Sequence, residues 1–453
     1  MSKVIHLKKG LDINLQGVAE KVLIAAPLSE EYALTPDDYI GVVPKLLVKV
    51  DDEVKAGTPL FFDKKHPEIL FTSPVSGVVT AINRGEKRKI INIVIRPSAE
   101  RDYEDFTARK LEDLTGESLK ELMLKSGLWP FVIQRPYGVI ADPSDTPRDI
   151  FVSGFDSSPL APDFDFILQN TGDDFALGIE AVKKLTPGKV HLGLSDESHS
   201  KIFGKLEGVV EIDTFSGPHP AGNVGVQIHH VAPVNKGDVV WTMDVHSLIF
   251  LGRLLRTGRL DLSKVIALAG SCVKKPRYYR IISGARVDTL LKDTIETEEG
   301  VTPRVISGNV LTGKKISPDG FISYNANMIS VIPEGDRYEM LGWIAPRFGK
   351  FSMSHSYFSW LMPGKSYNLD TNMNGGQRAF VVTGQYEKVL PMDIYPVYLL
   401  KAILAGDIDK MENLGIYEVI EEDLALCEFV CTSKTDVQAI LRGGIDQMIK
   451  ELN

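Results

Sequence analysis

The sequence predicts a multidomain α/β protein. Three observations carry that prediction. At 453 residues the chain is too long for one ordinary core and long enough for about three domains. Short strands between turn residues fill the first hundred positions, and strand and helix then alternate from 126 to about 255. Helical spacings of apolar residues return after Pro391.

Residues 48–54 (VKVDDEV), 55–60 (KAGTPL) and 73–79 (SPVSGVV) are short β runs separated by Gly, Pro and Asp. Val54, Gly57, Leu60, Pro74 and Gly77 resemble the strand–hairpin–strand pattern of biotinyl and lipoyl carrier domains, which implies a barrel-sandwich fold for residues 1–100. In such carriers the modified lysine stands at a hairpin tip, and Lys64 and Lys65 are the candidates. The hairpin reads as shorter than the carrier pattern, so a structural barrel is the expectation.

Residues 101–125 are charged and helix-prone, and are read as a helical linker. In 126–255, residues 149–153 and 189–194 read as strands, and 166–185 carries apolar residues at helical spacing until Thr186, Pro187 and Gly188 stop it. This alternation predicts βαβ units and a partly parallel sheet. Residues 264–270 and 280–284 read as a small β-grasp module within a region, 256–385, whose remainder reads as irregular. From 386 to 453 two apolar sets, Ile394 to Leu404 and Val437 to Ile449, predict a C-terminal helical bundle.

Composition narrows the function. Hydrophobic residues at 43% and charged residues at 25% belong to a soluble globular chain. The net charge of −9, without a long basic run, argues against nucleic-acid binding. No apolar run approaches the ~20 residues that span a bilayer, and 247–252 is cut off by Arg253 and Arg256. The amino terminus lacks the apolar core of a secretory signal. Three cysteines make no disulfide framework. A cytoplasmic protein is expected, free to dock on a membrane complex through a protein partner.

Three stretches are more specific: FSGPHPAG at 215–222, QRAFVVTGQYE at 377–387 and EEDLALCEFVC at 421–431. In this order they resemble the A subunit of the Na+-translocating NADH:quinone reductases. That family is similar in turn to the C subunit of Rnf complexes and to the NADH-binding flavoprotein subunit of complex I. The resemblance implies a degenerate Rossmann-like domain over 126–255 and an SLBB-like β-grasp module. It also implies a chain that binds no cofactor, with FAD, FMN and iron–sulfur centres on sister subunits. The implied partners are the membrane-embedded B subunit and the other members of the complex, on the cytoplasmic side of the inner membrane. No membrane span is implied for this chain. A quinone is the implied substrate.

The flavoprotein relatives carry a glycine-rich loop where this chain reads Ser126-Gly127-Leu128-Trp129-Pro130-Phe131. Phosphate binding needs free backbone N–H groups and close approach of the chain. Pro130 removes a donor, and Trp129 and Phe131 take up space. Either these side chains fill a vestigial cleft, or an aromatic-lined cleft accepts a flat ring such as a quinone head. Trp129, Phe131, Arg135 and His219 are the quinone candidates. His219 stands where Rnf-type relatives have the tyrosine of a Y-P-x-G element.

Cys427 and Cys431, at i and i+4, share a helix face, with Cys272 far upstream. A cluster needs four ligands, so buried small side chains are the expected role and a redox thiol pair the residual one. His229 and His230, if on a strand, point to opposite faces, and His246 reads as an ordinary hydrogen-bonded histidine. Glu421, Glu422 and Asp423 read as an acidic first helical turn favoured by the helix dipole. No catalytic residues and no metal ligands are assigned. A purely structural assembly role, without a quinone site, fits the missing chemistry equally well.

Overall fold

The computed structural model describes residues 4–336, 341–342 and 347–452. At its centre is a seven-stranded sheet in the order Val4–His6, Glu211–Ser216, Val190–Ser195, Ile150–Ser153, Val240–Thr242, Ile133–Arg135, Val139–Ile140. The first five strands run parallel and the last two are antiparallel additions. Val190–Ser195 is buried along nearly its whole length, which is why it reads as a continuous apolar run rather than an alternating one.

Two helices that pack with this sheet, Gly172–Val182 and Val245–Thr257, cross at their glycines. A Cβ on Gly178 would lie 2.0 Å from Leu248 O, and one on Gly252 would lie 1.8 Å from Asp174 O. Only glycine lets the two backbones touch there. Asp244 caps the second helix through a 2.7 Å bond from Ser247 N, and Gly258 ends it in the left-handed conformation. The single helix expected over 166–185 is two, Phe164–Leu168 and Gly172–Val182, finished by a 3-10 turn at Lys183–Leu185. The turn-forming residues Asn170, Thr171 and Gly172 break it.

Before the central sheet come two small antiparallel sheets. One pairs Tyr32–Leu34, Ile90–Pro97, Gly77–Arg84 and Glu53–Val54; the other pairs Pro44–Leu46, Pro59–Asp63 and Leu70–Thr72. Phe61 stacks on Phe71 at 4.4 Å, and Tyr39 meets Phe71 edge-on at 4.8 Å. Two strands from this end of the chain serve other units. Val4–His6 pairs with Glu211–Ser216, and Glu20–Ala25 pairs with Arg277–Ile282.

The third unit is a six-stranded mixed sheet: Lys314–Ile316, Pro303–Ser307, Met328–Pro333, Ser263–Ala269, Arg277–Ile282, Glu20–Ala25. Ser263–Ala269 and Arg277–Ile282 are the pair expected from sequence. The three strands between 303 and 333 correct the expectation of an irregular segment. They are short, and the Gly, Ser and Asn of their turns masked their Val and Ile. Part of that expectation, residues 337–340 and 343–346, lies outside the described residues.

After Pro391 the chain is helical at Pro396–Ala405, Ile408–Asn413, Ala425–Val430 and Val437–Leu452. Val397, Leu400, Leu441, Ile445 and Met448 are buried as their spacing predicts. Leu404 is not: it lies on the outer side of its helix with Lys401. Among the described residues no helix is long and apolar enough to cross a membrane.

Candidate functional site

The strand order reverses direction between Ile150–Ser153 and Val240–Thr242. Chain order runs from the first toward Glu211–Ser216 on one side, and Val240–Thr242 is then added on the other. In open α/β sheets the crevice beyond the carboxyl ends of such a strand pair is the usual ligand position. Here it holds a cleft of about 490 Å³. Ser153, Asp156, Thr242 and Asp244 line its floor, residues 38–40 and 307–328 supply two walls, and Ile420 and Glu422 close it from the C-terminal helices.

The segment from 126 to 136 borders this cleft without forming a phosphate cradle. Gly127 caps the helix Gly116–Ser126 at φ 78°, and a Cβ there would lie 2.3 Å from Thr72 Oγ1. The glycine serves helix termination and domain packing. Trp129, Pro130 and Phe131 form a buried 3-10 turn. Trp129 donates from Nε1 to Ala141 O (2.8 Å) and meets Trp241 edge-on at 5.3 Å, so it belongs to a closed core. Phe131 packs on Phe250 and also faces the cleft. Of the four residues singled out from sequence, Phe131, Arg135 and His219 share the cleft and Trp129 does not.

Arg135 is 2% exposed. It donates from Nη1 to Asp423 Oδ2 (2.9 Å) and from Nη2 to Glu422 Oε1 (2.8 Å). Asp423 Oδ2 also accepts Ile420 N–H at 2.9 Å. The same carboxylate lies against the amino end of the helix Val224–Val231, where a Cβ on Gly225 would be 2.4 Å from Asp423 Oδ1. A helix N-terminus favours an anion, and here the chain supplies its own. The sequence pattern placed Glu421, Glu422 and Asp423 at the dipole of the following helix. In the structure they sit in the 3-10 turn Glu421–Leu424 and face cations nearer to hand, Arg135 for two of them and Arg442 for Glu421. These acidic partners are the site residues that sequence reasoning missed; 287 and 288 positions separate them from Arg135.

One guanidinium between two carboxylates leaves a surplus negative charge. Glu422 accordingly resists ionisation. Burial raises its carboxyl first, repulsion from Asp423 adds to this, and Arg135 opposes both. Its side chain is nonetheless 38% exposed, toward the cleft it lines, so hydration tempers the burial effect. Asp156 and Asp38, also at the cleft, are raised mainly by burial. Lys314 stands 3.6 Å from Asp38.

His219 Nδ1 lies 3.0 Å from Ser157 Oγ, which accepts Gly222 N–H at 2.8 Å. With that N–H donating to the serine oxygen, the serine hydroxyl is free to donate to Nδ1. Burial lowers the imidazole to about 4, so the ring is neutral at pH 7. In this tautomer Nε2–H is the donor left for a ligand.

The remaining candidates are structural. Cys272, Cys427 and Cys431 are all buried, the first in the six-stranded sheet unit and the others by the C-terminal helices. Three thiols in two places do not match a four-ligand cluster site. No group of three or more metal-ligating side chains occurs among the described residues. His229 and His230 lie in a helix, not a strand; His229 pairs with Glu418 at 2.7 Å and His230 bonds to Pro391 O at 2.8 Å. His246 bonds through Nε2 to Val265 O at 2.9 Å. Buried Lys264 donates to Tyr324 O (2.6 Å) and Ala326 O (2.7 Å), fixing the loop that forms one cleft wall. Lys64 and Lys65 lie in the turn between Pro59–Asp63 and Leu70–Thr72.

Fold and cleft together define an α/β unit whose crevice is framed by two β modules and the C-terminal helices, with no assembled metal set among the described residues. Three family models match in series. They are the NqrA N-terminal barrel-sandwich hybrid domain over 5–98, the NqrA second alpha/beta domain over 114–260, and the NQRA C-terminal domain, of SLBB type, over 265–317. The A subunit of the Na(+)-translocating NADH-quinone reductase of Pasteurella multocida is 38% identical over 99% of this chain and 100% of its own length. The corresponding A subunits of Neisseria meningitidis serogroup A and Rhodopirellula baltica are also 38% identical, over 99% of this chain and 100% and 98% of theirs. A chain of an NAD+-reducing [NiFe]-hydrogenase matches at 13% identity and TM-score 0.32 over 68% of this chain and 56% of its own, too distant to carry an argument. The chain belongs to the NqrA family, the A subunits of the Na+-translocating NADH-quinone reductases. It is thus part of an oxidoreductase complex, with the fellow subunits as its partners.

Proposed function

We propose that the cleft binds the uncharged head group of a quinone, and that the chain acts by binding and positioning while sister subunits hold the flavins and clusters. The observation that carries this reading is the charge of the cleft. Asp38, Asp156, Asp244 and Glu422 line it against one lysine, Lys314, which stands 3.6 Å from Asp38; Arg135 is consumed by Asp423 and Glu422, and the imidazole that lines it, His219, is neutral. A phosphate would meet repulsion there, and the Asp423 carboxylate already occupies the space at the nearby helix terminus. A neutral ring avoids that cost and gains Phe131 as an apolar wall and the His219 Nε2–H as a donor to a carbonyl.

In this reading the α/β unit over 126–255 is a degenerate Rossmann-like domain, and the helices from 386 form a bundle that seals its open end. The units at 1–100, which lends Val4–His6 and Glu20–Ala25 to the other two sheets, 101–125 and 256–385 complete the division. The chain sits on the cytoplasmic face of the complex and docks on the membrane-embedded B subunit. Two measurements on the purified chain test the proposal. Its absorbance spectrum should lack stoichiometric flavin or cluster bands, and a short-chain quinone should quench tryptophan fluorescence saturably. A spectrum with one flavin per chain defeats the first half. Failure to saturate defeats the second and leaves an assembly role.

A further inference from the structure

The stretch between the six-stranded sheet and the C-terminal helices carries a feature that the cleft does not use. From 347 to 385 its regular structure is one 3-10 turn, Phe358–Leu361, in which only Ser359 is buried. The turn is held from below. Ser352 N–H donates to Ser359 Oγ, and Ser359 Oγ–H donates to Ser352 O, both at 3.2 Å. Tyr357, buried beside it, donates to Gly342 O at 2.6 Å. Tyr367 N–H donates to Asn14 O at 2.7 Å and ties the stretch to the N-terminal segment. These bonds leave Trp360 and Leu361 in water, 53% and 55% exposed. Phe348, 60% exposed, adjoins them: its ring meets Phe358 at 5.2 Å, and its carbonyl accepts from Lys365 Nζ at 2.6 Å.

Single exposed apolar side chains are ordinary, whereas three large ones on two adjoining loops make a patch that needs a reason. The charge around this tip is opposite in sign to that of the chain. Residues 347–385 hold Arg347, Lys350, Lys365 and Arg378 against one carboxylate, Asp370, a net of +3 in a chain of −9. Arg347 precedes Phe348 directly, Lys365 is bonded to it, and Lys350 lies two positions on, with its Nζ on Asn374 Oδ1 at 2.6 Å.

An apolar tip with a cationic rim complements a surface that is anionic outside and apolar just beneath, as phospholipid headgroups over acyl chains are. Two details favour lipid over a protein partner. Trp360 presents an apolar ring together with an indole N–H, the combination that settles at the headgroup level. Two of the rim cations are lysines, a residue depleted from protein–protein interfaces. The relatives of this chain belong to complexes that translocate Na+, work that requires a membrane, yet no helix among its described residues can cross one.

We propose that the tip formed by Phe348, Trp360 and Leu361 seats in the headgroup layer of an anionic membrane and gives the chain its own hold on the bilayer. This stands apart from the quinone reading and from any contact with a fellow subunit. The rest of the chain is net negative and is repelled by the same headgroups, so the contact also orients the molecule with this tip toward the membrane.

Sedimentation of the full chain with vesicles of equal parts phosphatidylglycerol and phosphatidylcholine tests the proposal. The wild-type chain should bind reversibly, be released by salt, and bind phosphatidylcholine alone at least about fivefold more weakly. The double variant Trp360→Ser, Leu361→Ser should bind at least about tenfold more weakly. Its melting temperature should be unchanged, because both side chains are already in water. Tryptophan emission should shift to the blue on adding vesicles, and Trp360→Phe should abolish the shift while retaining most of the binding. No binding by the wild-type chain, equal binding to neutral vesicles, or undiminished binding by the double variant overturns the proposal. A double variant that binds vesicles normally but no longer copurifies with the fellow subunits overturns it in favour of a protein contact at this tip.

Discussion

Arg135 and Asp423, 288 positions apart in sequence, form an ion pair at 2.9 Å that is sealed from water on both sides, at 2% and 0% exposure. The pair fastens the C-terminal cap onto the antiparallel edge of the central sheet, directly behind the cleft. Removing one partner of such a pair leaves an uncompensated buried charge. Asp423→Ala should therefore destabilise the chain by about 3–5 kcal/mol in chemical denaturation. The double variant Arg135→Met, Asp423→Leu strands neither member of this pair and leaves only the partly exposed Glu422 without its cation, so it should lose clearly less than the sum of the single losses. Additive losses would mean that the pair is not coupled as described.

Trp129 and Phe131 separate packing from binding. Trp129 is enclosed by Trp241 and Ala141, so Trp129→Ala should cost about 3–5 kcal/mol, as large aromatic deletions in cores do. Trp129→Phe should leave ligand affinity within about twofold, since the residue does not line the cleft. Phe131→Ala should weaken ligand binding by roughly tenfold or more, because one face of that ring forms cleft wall. A fluorescence titration of both variants separates the two roles.

His219 makes acid stability a readout of burial. Its imidazole ionises at about 4 when folded, against 6.5 in the unfolded chain. Above pH 6.5 both states are neutral and the group contributes no pH dependence. As pH falls from 6.5 to 4 the unfolded chain takes up a proton that the folded chain refuses, and stability drops. At ~1.4 kcal/mol per unit the full loss is about 3 kcal/mol. His219→Gln should remove that part of the slope in urea melts recorded between about pH 7 and pH 4.5. An unchanged slope would show that the ring is reached by water.

Gly127 is kept for its backbone. At φ 78° and with Thr72 Oγ1 where a Cβ would stand, Gly127→Ala should lower stability by more than about 1 kcal/mol, seen as a reduced melting temperature. A chain that tolerates alanine here would not need the left-handed helix end.

Particular residues show how far the sequence could be read. The strands Ile150–Ser153 and Val190–Ser195 were legible because they are buried along nearly their whole length and rich in aliphatic residues, and the helix stop at Thr186 to Gly188 was written in its residue types. That residues 129–131 pack into the core was legible because Pro130 and Trp129 have unmistakable steric consequences. Which aromatic faces the cleft was not: Trp129 and Phe131 are two positions apart in a 3-10 turn, and only the positions of Trp241 and Phe250 assign their sides. The partnership of Arg135 with Glu422 and Asp423 depends on long-range packing, so local patterns explained the acids by the nearest helix instead. The strands Pro303–Ser307 and Met328–Pro333 were hidden for a related reason, since the sheet they belong to is completed by strands distant in sequence.

The central claim is that the crevice at the carboxyl ends of the central strands takes a neutral ring rather than an anion. Calorimetric titration of a short-chain quinone into the wild-type chain tests it most directly, with His219→Ala and Trp129→Phe alongside. The account predicts one saturable site, at least about tenfold weaker in His219→Ala and unchanged in Trp129→Phe. No binding heat from the wild-type chain, or equal affinity with and without His219, would contradict it.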